Sequence, residues 1–462
     1  MTRRYSVQAS EILVERTGPM FTALVKSSGS TVMRTPPRGW PSSASDITAT
    51  SSFVVTVRPE GRPGPGVSSD TPANVIGAPG AAPYAAPMAD GRGSRMAVNR
   101  DPRYVRQRRV AGLVGVVVIA VIVGSVRAAW TAWAEPSRLP VTLSFAGDVH
   151  FEHQVRDLLR QPGAQEEALR SALSAADFTM VNLETAVTER GTPIEGKSFT
   201  FRAPTSALDY LADLGVDAVT LANNHAADFG DVGLQDTLAA RTASRIPLVG
   251  VGKDDDEAYA PLSITLKGTS IAILSSSQID DETSRLYSAT ASRPGIATNH
   301  ENNDALVAAV ESARTEHDVV IVFMHWGTEK DTCPSDAQQG AAQALVAAGA
   351  DAIVGSHAHR VQGSGWTGST FVGYGLGNFI WDYAHGPNGD SGMLTVTIDG
   401  DLASKRGDRD ESGPVLTAQQ WTPMRVGPNG MPAAAVGEEQ TRLAGEKALA
   451  DTCSGLSPAP VS

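Results

Sequence analysis

Asp148 and His150, Glu184, Asn224 and His225, His325, and the pair His357 and His359 are the residues of this chain whose types and spacing point to chemistry. Imidazole, carboxylate and amide oxygen together suit a borderline or moderately hard dication such as Mn, Fe or Zn. A closed zinc site takes about four ligands. More donors than that stand here, which points to two metals with Glu184 between them. Two cations roughly 3.5–4 Å apart can share a hydroxide nucleophile and neutralise charge developing on a phosphoryl or carbonyl centre. Asn224 would be a neutral oxygen donor. His225 beside it is then left unliganded, as a general acid for a leaving group.

Such a set works only if the chain brings it to one place. From Pro140 onward, short apolar runs alternate with Ala-rich helical stretches. The runs VTLSFA, FTMVNL, AVTL, IAILS, VVIVFM and AIV read as strands, and 166–175, 206–214, 233–242, 304–316 and 336–348 read as helices. That alternation argues for an α/β domain with helices covering the strands. In such sheets ligands bind beyond the carboxyl ends of the strands, and every donor named above lies there. Each pair alone is weak, since a single His after a buried strand is ordinarily a hydrogen-bonded core residue and Asp148 or Asn224 could serve a turn. Their joint occurrence on successive strands is what carries weight.

Composition divides the chain. Residues 1–109 hold 15 Lys and Arg against 7 Asp and Glu, a net of +8, which leaves 23 against 43 beyond them, a net of −20. The first segment is rich in Pro, Gly and Ser without a sustained period and reads as disordered, with translation from Met96 as the alternative. Val110–Val126 is an uncharged apolar run that would make a helix roughly 25 Å long, enough to cross a bilayer. Arg100, Arg103, Arg106, Arg108 and Arg109 precede it, which places the N-terminus in the cytoplasm and the acidic part outside. Cleavage after Ala134, as a signal peptide, is the competing reading and would give a secreted protein. A linker over 127–139, a main domain over 140–432 and a helix with a loose tail over 433–462 complete the expected organisation. Cys333 and Cys453 are the two cysteines. An exported location permits a disulfide between them, two free thiols being the alternative, and the count excludes a cysteine zinc site.

The motifs GD-x-H (147–150), VNLETAVT (181–188), KSFTFRAP (197–204), LANNHAADFG (221–230), FMHWGTE (323–329), GADAIVGSHAH (349–359) and YGLGNFIWD (374–382) stand in fixed order. This series resembles that of the calcineurin-like metallophosphoesterases, and more closely the CapA, or poly-γ-glutamate synthesis, family. The resemblance spans about Leu143 to Ile398. It implies a four-layer α/β/β/α sandwich with a binuclear centre, which would follow the single transmembrane segment read at 110–126. Carried over by motif, Asp148, His150 and His359 would hold one metal, and Asn224, His325 and His357 the other. Glu184 would bridge them, with His225 the catalytic histidine. The chain departs from the phosphoesterase pattern in the Glu of NLE and in Ala226 directly after His225. Asp228 is the carboxylate left to orient His225.

Arg202 could hold a carboxylate or phosphate; Glu329 and Asn378 are further candidates for the substrate side. His153, His300, His317 and His385 lack such a context and read as surface or structural. The resemblance implies a membrane-anchored protein that supports an anionic envelope polymer beside a membrane synthase. A phosphoesterase or peptide hydrolase, an epimerase and a non-catalytic scaffold are the alternatives. The acidic domain does not attract an acidic polymer over distance, so recognition would rest on the metals and on local cations such as Arg202 and Lys197. Nothing in the sequence points to nucleic acid.

Overall fold

Long uninterrupted apolar runs form strands buried on both faces, whereas runs that alternate form strands with one face against solvent. VVIVFMHW is of the first kind: Val319–Trp326 is buried along its whole length between two parallel neighbours, Thr269–Ser277 and Ala352–His357. LSITL is of the second kind and alternates between buried and half-buried positions as Leu262–Leu266. It forms a hairpin with Thr269–Ser277, turned by Lys267 and Gly268, both with positive φ as a two-residue turn of matching twist requires.

The computed structural model describes residues 3–7, 10–17, 20–26, 103, 106, 110, 113–122, 137–160, 165–382, 385–406 and 413–461. Two large sheets organise the described residues. In the first, Val141–Val149 pairs in parallel with Phe178–Leu183, which continues in parallel to Ala218–Thr220 and then to Leu248–Val249. Its other side takes Asp390–Ile398 antiparallel and, beyond that, the long Leu416–Val426 strand. The second sheet is built on the parallel run of Thr269–Ser277, Val319–Trp326, Ala352–His357 and Thr370–Gly373.

Alternation along each strand feeds three cores. Leu143, Phe145, Phe178 and Met180 of the first sheet pack on Ile271, Ile321, Phe323 and Val354 of the second. Phe145 and Phe323 meet edge to face at 6.1 Å. The opposite face of the first sheet is covered by Gln165–Leu173, Ser206–Asp213 and Gly230–Ala243, through Leu173, Leu211 and Leu234. The opposite face of the second is covered by Asp304–Glu316 and Asp336–Ala347, through Leu306, Val310 and Leu345. Ser335 and Gln338 begin the latter helix with a reciprocal capping box.

The architecture is mixed α/β, as the alternation predicts, with instructive differences. Leu416–Val426 (LTAQQWTPMRV) has no apolar period to announce it; its ladder with Asp390–Ile398 makes it a strand. The expected loose tail is partly paired, Ser457 exchanging backbone hydrogen bonds of 2.8 and 2.9 Å with Trp366. Cys333 and Cys453 form a disulfide that ties the end of the Gly437–Cys453 helix to the segment after Val319–Trp326. In place of disorder, three antiparallel strands run through Arg3–Val7, Ser10–Thr17 and Met20–Lys26, the first pairing with Leu262–Leu266. Their short apolar runs are diluted when composition is averaged over residues 1–109.

Residues 54–136 cluster as a separate unit. Within the apolar run 110–126, residues 113–122 are helical, and Leu113, Val116 and Ile119 are exposed. No helix of the described residues is long and apolar enough to cross a membrane. Ala134 and the proposed cleavage point lie outside the described residues.

Candidate metal centre

The parallel strands of both sheets end at one place. The first sheet supplies Asp148 at the end of Val141–Val149, Glu184 directly after Phe178–Leu183, and Asn224 just beyond Ala218–Thr220. The second supplies His325 within Val319–Trp326, His357 at the end of Ala352–His357, and His359 after it. Two close approaches make the convergence possible. A Cβ on Gly147 would lie 1.8 Å from Gly377 O, the carbonyl that accepts from Asp148 N at 3.0 Å. A Cβ on Gly355 would strike the Trp326 indole, whose N–H donates to Tyr374 O at 2.8 Å. His357 and His359 have φ of 88° and 50°, a left-handed conformation that side chains with a Cβ adopt at a cost.

Two donor groups result, Glu184 with His325 and His357, and Asp148 with Glu184 and His359, the ligand atoms of each lying within 4.8 Å of one another. Glu184 belongs to both. The Asn224 amide oxygen is 2.7 Å from His325 Nε2 and so borders the first group. Glu184 is fully buried, and neither of its carboxylate oxygens has a hydrogen-bond partner among the described residues. His325 Nε2 and His225 Nε2 stand off from it at 3.4 and 3.8 Å. A buried carboxylate without partners is costly unless a cation compensates it. The orphaned Glu184 and the mixed N/O donors therefore fit a pair of dications.

Other polar groups hold these donors in place. Asn182 Nδ2 donates to Asp148 Oδ1 at 2.8 Å, and Asn182 Oδ1 accepts from Asn223 Nδ2 at 3.0 Å. Asn223 Oδ1 in turn accepts from His225 N at 3.0 Å. His359 Nδ1 lies 2.7 Å from Asn378 Oδ1 and 3.2 Å from Asp148 Oδ2. Burial works against the charge on His359, but Glu184 and Asp148 outweigh it and push its pKa up to about 9. Burial also opposes the charge on Asp148, and His359 overcomes it to leave that carboxyl below its ordinary range. His357 is held well below its ordinary value by burial and by His325; burial and Lys197 do the same to His225.

The expected set is thus assembled with one exception. His150 joins neither group: its Nε2 lies 3.0 Å from Asp382 Oδ1 and its Nδ1 accepts from Glu152 N at 3.1 Å. Phe201 stacks on it at 4.7 Å and Trp381 meets it edge-on at 4.1 Å. Phe201 is also 4.2 Å from His225, so it stands between the two histidines. Asp228 Oδ2 is 2.6 Å from His225 Nδ1, as the orienting role requires.

The expected substrate-side residues are placed differently. Arg202 stacks its guanidinium 4.5 Å over the Phe229 ring, and its neighbour Phe201 takes the side facing the histidines. Glu329 is exposed, and its charge helps to raise the pKa of His359. Asn378 is buried and braces His359. The side chain of Lys197, expected to meet an acidic polymer, is almost fully buried; its ammonium bonds Asp228 and Thr283 and also donates to Asn224 O. Sequence reasoning missed Asn182, Asn223, Phe201, Trp381 and Asp382. All lie inside the quoted motifs, so proximity to the ligand positions was the available signal.

Residues 142–383 match the family model described as bacterial capsule synthesis protein PGA_cap. The chain is 28% identical over 258 residues to the PGA biosynthesis protein CapA of Bacillus subtilis, covering 55% of this chain and 67% of that one. It is 27% identical over 311 residues to the capsule biosynthesis protein CapA of Bacillus anthracis, covering 64% and 72%. A probable polyglutamine synthesis accessory protein of Mycobacterium tuberculosis is 28% identical over 216 residues, covering 46% and 57%. With its ordered motifs, its α/β architecture and a match over half its length, this chain belongs to the bacterial capsule synthesis PGA_cap family.

Proposed function

We propose that the chain is a membrane-anchored, extracytoplasmic accessory protein for synthesis of an anionic envelope polymer of the poly-γ-glutamate class, working beside a membrane synthase through a binuclear metal centre. The polymer class comes from the relatives. The anchor rests on the apolar run at 110–126 behind its arginines. The three cores support a four-layer α/β/β/α reading of the domain.

One observation carries the metal reading, namely the buried Glu184 that both donor groups share with neither oxygen hydrogen-bonded. Asp148, Glu184 and His359 would hold one ion, and Glu184, His325, His357 and Asn224 the other. When bound, such a pair supplies Lewis acidity and a nucleophile at neutral pH. The chain's own part is proton handling and exclusion of water. Asp228 engages His225 Nδ1, which leaves Nε2 on the Glu184 side for exchange of a proton with a reacting group. Phe201 and Trp381 wall the same space with aromatic rings 5.7 Å apart.

Elemental analysis of the full chain, purified in detergent, tests the reading. About two transition metals per chain are expected, with a sharp fall in His357→Ala. A folded chain that takes up none would overturn the metal reading and leave a scaffold for the synthase.

A further inference from the structure

Arg360, the residue after His359, lines a cavity of about 440 Å³, a size that suits a small-molecule ligand. Val361, Pro387, Trp421, Leu443 and Ala450 give the cavity apolar walls, and the Cys333–Cys453 disulfide lines it as well. Three of the charged side chains around it are settled within the protein. Asp390 pairs with Arg425 and, at 2.7 Å, with Arg442. Arg442 also holds Glu446 at 2.8 Å. Lys447 pairs with Asp451 and donates to Ser364 Oγ at 2.8 Å. Arg360 has no such partner: among the described residues it forms no ion pair. Its Nη1 donates to His359 O at 2.8 Å and to Asn388 Oδ1 at 2.6 Å, and its Nε and Nη2 carry no hydrogen bond among the described residues.

A guanidinium offers five N–H donors in a rigid plane, and its free edge matches the two oxygens of a carboxylate. Arg360 is also held in place. Asn388 O accepts from Asn378 Nδ2 at 2.9 Å, and Asn378 Oδ1 lies 2.7 Å from His359 Nδ1. Arg360, Asn388, Asn378 and His359 therefore close a ring of hydrogen bonds that ties this cation to the proposed metal ligand. We propose that the cavity is a subsite for the polymer, in which Arg360 takes one carboxylate of a γ-linked glutamyl chain and the apolar walls take the methylenes beside it. In a γ-linked chain the carboxylate sits on the backbone and is flanked by two backbone methylenes. In an α-linked chain it ends a side chain, and the backbone beside it is all peptide. One open cation among apolar walls fits the first pattern. The identity of the polymer rests on the function proposed above; the anion site rests on Arg360 and the cavity alone.

Calorimetric titration of the full chain in detergent, with chelator present, against γ-linked and α-linked pentaglutamate tests this. The γ-linked peptide should bind, and Arg360→Leu should weaken it about tenfold or more, the scale of losing a charged hydrogen bond. Arg360→Lys, which keeps the charge and loses the fork, should recover only part of that loss. In the unmodified chain labelled with 15N at tryptophan, the Trp421 indole signal, assigned by its absence in Trp421→Phe, should shift on adding the γ-linked peptide. No binding by the unmodified chain, an unmoved Trp421 signal, or equally tight binding of the α-linked peptide each overturns the proposal. Unchanged binding in a folded Arg360→Leu chain defeats the subsite and leaves the polymer reading standing. Arg360-dependent binding of glutarate with neither pentaglutamate bound defeats the polymer instead and leaves only an anion site. Because chelator is present throughout, no arm depends on the metal centre.

Discussion

Asn378 Oδ1 and His359 Nδ1 lie 2.7 Å apart, and Asn378 Nδ2 is spent on Asn388 O at 2.9 Å. With Nδ1 occupied by Asn378 and Asp148, Nε2 is the nitrogen of His359 left for a ligand. Removing a group that orients a metal-binding histidine typically costs about 10–100-fold in affinity. Asn378→Leu should therefore weaken zinc binding by that order while the fold persists. Competition titration against a chromogenic chelator measures it, and unchanged affinity would remove Asn378 from the site.

Glu184→Gln separates a structural carboxylate from a ligand. In the metal-free chain Glu184 is buried without a hydrogen-bond partner. Neutralising it removes a desolvation cost but also the attraction that keeps His359 charged, so the stability of that state should change by less than about 1 kcal/mol while metal content falls. Thermal unfolding with and without zinc reads both effects. A variant that keeps its metal content would remove Glu184 from the ligand set.

The proposed metal binding has a pH sign. His359 has a pKa of about 9, so it is charged at neutral pH, and it must lose its proton to ligate. His357 is held well below its ordinary value and is already neutral. Zinc uptake near pH 7 should release about one proton, and affinity should rise about tenfold per pH unit until the His359 pKa is passed. Calorimetry in buffers of different ionisation enthalpy counts the proton. No release would place His359 outside the ligand set.

The Cys333–Cys453 bond closes a sequence separation of 120 residues. Removing a bond of this kind costs about 2–5 kcal/mol. Reduction should lower the unfolding temperature and expose the Gly437–Cys453 helix to protease first. The ion pair of Arg442 with Asp390 and the hydrogen bonds that Lys447 and Asp451 make with Ser364 remain to hold it, so the rest of the domain should stay folded. Equal protease resistance with and without reductant would show that these contacts suffice.

The sequence was most informative where chemistry and local pattern coincide. Asp148, Glu184 and His325 each end or follow an apolar run, and parallel strand order delivers them to one rim. The helix Asp304–Glu316 and the strand Phe178–Leu183 fall where periodicity predicts them. What stayed hidden depends on distant partners. His150 is a ligand by motif, yet Asp382, 232 positions away in the chain, engages its Nε2. Lys197 reads as a surface cation until Asp228, Asp281 and Thr283 close around it. Arg202 reads as an anion binder until strand alternation turns it towards Phe229. Side-chain direction inside a motif is settled by packing, which residue type alone does not reveal.

Gly147 bears on how relatives of this chain can be sorted. Any side chain there would press on Gly377 O from 1.8 Å, and Gly377, with φ of 75°, resists substitution in its own right. One added methyl would be felt at once by Asp148 on one side and by Asn378, and through it His359, on the other. A homologue could retain every donor residue and still fail to bring them together if it carried Ala at the position of Gly147. The Gly147–Gly377 pair is thus a checksum on the motif.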